Sequence, residues 1–251
     1  LPTSPTSRPQ ATTNMKGMLE TALANPWDTL RTVLDGPLHP GGREATERLL
    51  DRANVTAGTR LVDVGCGAGQ SLTVARDRGV EAIGVDRDPS GDGTVRGEMT
   101  QLPFHDGSVD IVLAECVMCL AANRDRALSE AYRVLEPGGT LAVSDVVVED
   151  ALPDLPEPMI RALCLQNSRS RTETVSGIED AGFVVEGIRD HREELLEMRD
   201  QVASKVNYEG LLSLMGDRGT RILDRIQDAE QAVDNGRISY ISVVARRTTD
   251  G

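Results

Sequence analysis

Lysine is almost missing from this chain. Of 27 basic residues only Lys16 and Lys205 are lysines, and acids outnumber bases 40 to 27, for a net charge of −13. Such a surface repels a polyanionic backbone, so nucleic acid is excluded as the expected partner. Aromatic residues are equally scarce, at 2%, which also excludes a base-stacking platform. The core must therefore rest on Val, Leu, Ile, Ala and Met. Cysteine is limited to Cys66, Cys116, Cys119 and Cys164, too few for a disulfide scaffold in 251 residues. No run is long and apolar enough to span a membrane, and the N-terminus lacks a charged-then-apolar signal pattern. A soluble cytoplasmic protein without a membrane partner is expected. The preference for Arg over Lys fits either solubility in high salt or GC-rich codon usage, and the two stand level.

The length suits one domain with a full core and a small helical addition. Residues 1–14 are rich in Pro, Ser and Thr and read as a disordered tail. Residues 15–55 read as a helical cap, ending in an amphipathic helix from Glu44 to Ala53. The main domain spans 56–251. Within it, apolar strands at Arg60–Val64, Glu81–Val85, Val109–Ala114, Thr140–Val147, Phe183–Ile188 and Ile238–Ala245 alternate with helices at Ser71–Arg78, Arg124–Leu135 and Thr172–Ala181. Glu136-Pro137-Gly138-Gly139 reads as a turn. Alternating strands and helices predict an α/β fold with a doubly wound, mostly parallel sheet covered on both faces. Residues 190–235 are charged and helix-forming, and predict a helical pair inserted between the last two strands.

The first strand runs into Asp63-Val64-Gly65-Cys66-Gly67-Ala68-Gly69. Glycines at alternate positions after a strand let backbone approach a ligand closely, and the helix that follows offers unpaired N–H groups. Glycine turns of this kind are also common as plain structure. Asp86 sharpens the signal. It ends the second strand, 17 residues after Gly69, where a carboxylate can accept both hydroxyls of a ribose.

The spacing differs from the Gly-x-Gly-x-x-Gly of dinucleotide folds. It resembles motif I of the class I S-adenosylmethionine-dependent methyltransferases. The resemblance continues through Gly97-Glu98-Met99-Thr100-Gln101-Leu102-Pro103-Phe104, through Asp106 to Val112, and through Tyr132-Arg133-Val134-Leu135-Glu136-Pro137-Gly138-Gly139. It implies that family's Rossmann-like seven-stranded sheet with an antiparallel last strand. It also implies S-adenosylmethionine as cofactor and S-adenosylhomocysteine as product. By position, Asp63, Gly65, Gly67 and Gly69 would hold the amino-acid end of the cofactor and Asp86 the ribose. Glu98 and the Met99 backbone would meet the adenine, and Glu115 would lie beside the methionyl group. In place of the family's helix between Asp86 and Glu98 this chain has only eleven residues, so the third strand must be short or displaced.

The acceptor is addressed by the segment Ala114-Glu115-Cys116-Val117-Met118-Cys119-Leu120. In the methyltransferase fold the carboxyl end of this fourth strand faces the transferable methyl. Together with Cys164-Leu165 and Ala181-Gly182-Phe183, the segment resembles the arsenite methyltransferases. That likeness makes Cys116 and Cys164 the candidate catalytic residues, with Cys119 a third candidate metalloid ligand; no resident metal is expected. The chain departs from that family in lacking a Cys in Gln70-Ser71-Leu72 and in carrying polar Gln166 to Arg171 after Cys164-Leu165. Free cysteine is also an ordinary packing residue, the reading given to Cys66. The expected partner is a small molecule: a thiophilic one such as trivalent arsenic, or an ordinary carbon, oxygen or nitrogen acceptor. A non-catalytic S-adenosylmethionine sensor is the other class the sequence leaves open. His39 reads as a turn residue, with closure over the cofactor as the alternative, and His105 and His191 read as solvated.

Overall fold

The computed structural model describes residues 37–151, 155, 157–205, 208–213 and 215–249. The expected tail at 1–14 and most of the expected helical cap lie outside these residues. The described chain begins at Pro37 and enters α1 (Gly42–Arg52). Strand β1 (Arg60–Val64) follows, then α2 (Gln70–Arg76), β2 (Glu81–Asp86), β3 (Thr94–Arg96) and β4 (Val109–Glu115). A short 3-10 turn (Met118–Leu120) leads to α3 (Arg124–Val134) and β5 (Leu135–Val148). Helices α4 (Glu157–Ala162) and α5 (Arg171–Asp180) precede β6 (Phe183–Asp190). Helices α6 (Arg192–Lys205), α7 (Tyr208–Ser213) and α8 (Asp217–Asp234) then lead to β7 (Ile238–Arg247).

The strands form one seven-stranded sheet in the order β3-β2-β1-β4-β5-β7-β6. β1 pairs parallel with β2 and β4, and β7 is antiparallel to both β5 and β6. Strand periodicity sorts the side chains into two layers. Val62, Val112, Ala114, Leu141 and Val143 face α3 and α5, where Ala127, Leu128, Ala131 and Ile178 complete one core. Leu61, Ile111, Leu113 and Ala142 face the other way, onto Leu49 and Leu50 of α1 and Leu72 and Ala75 of α2. Leu50, Leu61, Leu72 and Leu113 are fully buried, each contributing about 2 kcal/mol of apolar transfer. The helices begin where their caps stand. Asn123 accepts the Arg126 N–H, and Ser170 with Glu173 forms a capping box on α5.

Two expectations change. The segment Glu136 to Gly139 is not a turn ahead of a strand but a bulge within β5. Val109 pairs with Leu135 and Ile111 with Thr140, so the extra residues loop out of the ladder. The insertion between β6 and β7 holds three helices rather than two, because Gly216 and its neighbours interrupt the helical run ahead of α8. β3 is three residues long, as the short segment after Asp86 requires. No helix among the described residues is long and apolar enough to cross a membrane.

Candidate active site

A cavity of about 480 Å³ opens at the carboxyl ends of β1, β2 and β4, the crevice where open parallel sheets bind ligands. Asp63, Gly65, Gly67, Asp86, Glu98, Met99, Glu115 and Cys116 line it; Gly69, Cys119 and Cys164 do not. Gly69 instead caps α2, in the left-handed region at φ 77°.

The glycine loop is held by backbone. Gly65 N–H donates to Val85 O at 2.7 Å. Gly65 has φ 79°, and a Cβ there would lie 2.3 Å from Val117 Cγ2, so only glycine fits between β1 and the segment after β4. Asp86 is braced from both sides: Gly67 N–H donates to it at 3.0 Å and Asp88 N–H at 2.8 Å. The short stretch after Asp86 folds back on the loop, with Ser90 N–H donating to Gly67 O at 3.3 Å. A Cβ on Gly91 would meet Ala68 O at 2.3 Å. This packing takes the place of the missing helix. Cys66 packs against Gly84, whose added Cβ would lie 2.4 Å from Cys66 Sγ, and burial pushes its thiol up to about 12.

Two acids form the floor. Asp63 is 3% exposed, and its Oδ2 has no hydrogen-bond partner. Burial first, then the Glu115 and Asp86 charges, push its carboxyl up to about 8 against the opposing His39. Glu115 is better served. It accepts from Ser71 Oγ at 2.8 Å and Thr46 Oγ1 at 3.0 Å, and His39 Nε2 lies 3.4 Å away. Burial pushes Glu115 up, but the His39 charge and these hydrogen bonds outweigh it, so its pKa is lowered. His39 shifts upward: burial opposes its charge, and Glu115 outweighs burial. Its Nδ1 faces Pro40 O at 3.1 Å and its Nε2 faces Thr46 Oγ1 at 3.1 Å, an arrangement that suits a ring protonated on both nitrogens. His39 thus belongs to the cavity wall, not merely to a turn. The sequence signal was thin: a lone His before Pro40-Gly41-Gly42. Thr46 and Ser71 gave no signal, since their hydroxyls matter only through Glu115. His191 is also not solvated, since Ser242 Oγ and Glu194 Oε1 hold its ring at 2.7 and 3.0 Å. His105 is exposed.

The sulfurs converge. Cys116 and Cys164, 48 residues apart in sequence, have Sγ atoms 3.1 Å from one another and are not disulfide-bonded. Both have left-handed backbone, at φ 53° and 56°, a conformation that costs of order 1 kcal/mol or more for a residue with a Cβ. Cys116 follows β4 directly, its N–H donating to Ser144 O at 2.7 Å. Cys164 ends α4, its N–H donating to Arg161 O at 3.2 Å, in the position glycine usually takes at a helix end. Cys119 Sγ points toward Cys116 O at 3.9 Å, fully buried in the core shared with Val146 and Tyr240. Among the described residues no three Cys, His, Asp or Glu side chains are arranged to hold a metal ion; Cys116 and Cys164 form the close sulfur pair, with Cys119 neighbouring both. Each paired thiol is lowered by one sulfur neighbour, Cys119 for Cys116 and Cys116 for Cys164. The bond to the remaining sulfur and burial outweigh this, and both thiols lie well above the usual range.

Comparison with known proteins agrees with this geometry. The profile of the family described as "Methyltransferase domain" matches residues 62–143. The chain is 29% identical over 208 residues to "Methyltransferase GfsG" of Streptomyces halstedii, covering 73% of each chain. Residues 62–143 are a methyltransferase domain of the class I, S-adenosylmethionine-dependent type. This methyltransferase is also 31% identical over 151 residues to an "Arsenite methyltransferase" of Halobacterium salinarum. That match covers 52% of this chain and 39% of the relative, so the chain spans well under half of that protein. Its fold is shared with the solved [4+2]-cyclase SpnF, at TM-score 0.67 and 21% identity over 99% of this chain and 98% of the other. The methyltransferase uses S-adenosylmethionine, and the cavity suits that group on structural grounds. The orphaned Asp63 Oδ2 awaits a donor such as an ammonium, and the glycine loop leaves a cradle that side chains would fill.

Proposed function

We propose that this methyltransferase acts on a small molecule and that its acceptor is thiophilic: a trivalent arsenical held by Cys116 and Cys164. The observation that carries the reading is the 3.1 Å separation of the two sulfurs beside the cavity. Soft thiolates select soft centres, and two sulfurs this close can ligate one atom. The partial likeness to an arsenite methyltransferase supports the same reading.

The residues take the following roles. Asp63 and the Gly65–Gly69 loop hold the amino-acid end of S-adenosylmethionine. Asp86, already braced by two N–H groups, accepts from its ribose, while Glu98 and the Met99 backbone border its adenine. Bound there, the cofactor would supply a methyl activated on a sulfonium, taken in line by a nucleophile as the thioether of S-adenosylhomocysteine leaves. Glu115, held ionised by the His39 charge and fixed by two hydroxyl donors, forms the floor of the cavity. Cys116 and Cys164 lose their protons when a soft centre binds, because the ligand is the thiolate. Their raised thiol pKa values make that binding favour higher pH.

A second reading has one observation in its favour. His39 with Glu115 is a buried acid–base pair in the cavity wall, which an oxygen or nitrogen acceptor would use for proton removal. The two readings separate in one assay. Labelled S-adenosylmethionine is offered with arsenite or with a panel of hydroxyl and amine acceptors, using wild type, Cys116→Ser and Cys164→Ser. Label on arsenic in wild type only supports the thiol pair. Equal transfer to a hydroxyl or amine by all three proteins removes it.

A further inference from the structure

A second cavity, of about 270 Å³, lies between α1 and the face of β5, β6 and β7. Glu115 and Ser144 line it from the sheet, and Ala45, Leu49 and Tyr240 give it apolar walls. Three guanidiniums also line it; Arg48 is paired with Glu194, which leaves Arg52 and Arg189.

These two cations are unusual in this molecule. Acids outnumber bases by 40 to 27, and the acids around the cavity already have partners. Asp51 pairs with Arg78 at 2.6 Å. Glu194 pairs with Arg48 at 2.9 Å and with His191 at 3.0 Å. Glu115 takes His39, Thr46 and Ser71. None of them reaches Arg52 or Arg189. Arg52 donates only to neutral oxygens, Ser242 Oγ and, at 3.0 Å, Gly187 O. Arg189 has no hydrogen bond or ion pair from its side chain to any described residue. Burial, and then the charge of Arg189, hold the Arg52 guanidinium below its ordinary value. Two like charges beside an apolar cavity are a cost to the folded chain unless an anion joins them.

We propose that this cavity binds the oxyanion head of a small amphiphile, a carboxylate or phosphate on an apolar body, with Arg52 and Arg189 as the anion clamp. Guanidiniums bind such heads through paired N–H bonds. Leu49, Ala45 and Tyr240 would cover the body. The site does not depend on the sulfur pair or on the identity of the acceptor, and it shares only Glu115 with the cofactor cavity.

Hexanoate serves as the probe, with inorganic phosphate as head alone and hexanol as body alone. Calorimetric titration of the full chain should show saturable hexanoate binding, with each fragment about 10-fold weaker or more. Arg189→Gln should weaken hexanoate about 10-fold or more while S-adenosylmethionine binding stays within about twofold. Arg189 is exposed, so this variant should fold. Arg52→Lys should keep part of the affinity, having charge without the fork. Hexanoate binding that is absent, no tighter than hexanol, or unchanged in Arg189→Gln overturns the proposal. A methyl-transfer arm then separates the sources of the anion. Labelled methyl on the carboxylate makes the amphiphile an acceptor, whereas bound but unlabelled hexanoate makes it an effector.

Discussion

The two ends of the cofactor cavity are built from different materials. At the donor end the contacts are backbone and carboxylate: Gly65 and Gly67 in left-handed conformation, Asp86 braced by two N–H groups, Asp63 with an open oxygen. They come from β1, β2 and their turns, within 24 residues of sequence. At the other end the contacts are side chains. Cys116, at the cavity wall after β4, meets the sulfur of Cys164, which lies behind it after α4, each on left-handed backbone. A backbone site tolerates changes of side chain but no added Cβ, whereas a side-chain site fails with one sulfur. Substitutions at each end should therefore separate donor binding from acceptor transfer.

The largest separation should come from Gly65→Ala. Its Cβ would overlap Val117 at 2.3 Å, and its φ suits only glycine. We expect S-adenosylmethionine affinity to fall about 100-fold or more, near 2.8 kcal/mol. Calorimetry measures this, and a far-ultraviolet spectrum confirms that the fold is retained. Unchanged affinity would mean that the loop does not meet the cofactor.

Cys116→Ser should do the reverse. Methyl transfer to arsenite should drop about 100-fold or more, while cofactor affinity stays within about twofold. A parallel loss of both would erase the distinction between the two ends.

Asp63→Asn sharpens the donor end through pH. The carboxyl is pushed up to about 8 in the folded chain from an ordinary value of 3.8. Between those values the folded state holds a proton that the unfolded state has released. Stability from this group is thus fully present below pH 3.8 and is lost as pH rises toward 8. Ligand-free wild type should therefore lose melting temperature from pH 5 to 8 relative to Asp63→Asn, a gap read by thermal denaturation. The same variant should bind S-adenosylmethionine about 10-fold more weakly. A gap that is flat with pH would contradict the buried, protonated carboxyl.

Ser170→Ala calibrates the others. It removes a helix cap whose side-chain bonds go to Glu173 and which does not line the cavity, and it should cost about 1 kcal/mol of stability in a denaturant titration, with cofactor binding unchanged.

The difference between the two ends also explains what could be read in advance. The glycine loop, Asp86 and the Glu98-Met99 segment are local patterns, so their spacing carried them into one cavity. The strands were legible because Leu61-Val62 in β1 and Ile111 to Ala114 in β4 are apolar runs buried on both faces. The β5 bulge was not, since Pro137-Gly138-Gly139 spells a turn and only pairing with Val109 and Ile111 makes it part of a strand. The insertion was misjudged as two helices because helical propensity does not say where Gly216 breaks the run. Thr46 and Ser71 were missed, and His39 was read first as a turn residue, because their role exists through Glu115, which the fold brings to them from β4. Cys119 is buried in the core beside Cys164 and does not line the cavity.

The sulfur pair is the claim on which the acceptor reading rests, and arsenic X-ray absorption on the arsenite-loaded protein tests it most directly. Wild type should show arsenic bound by two protein sulfurs, falling to one in Cys164→Ser and in Cys116→Ser. Arsenic surrounded by oxygen alone, or the same sulfur shell in all three proteins, would contradict the account.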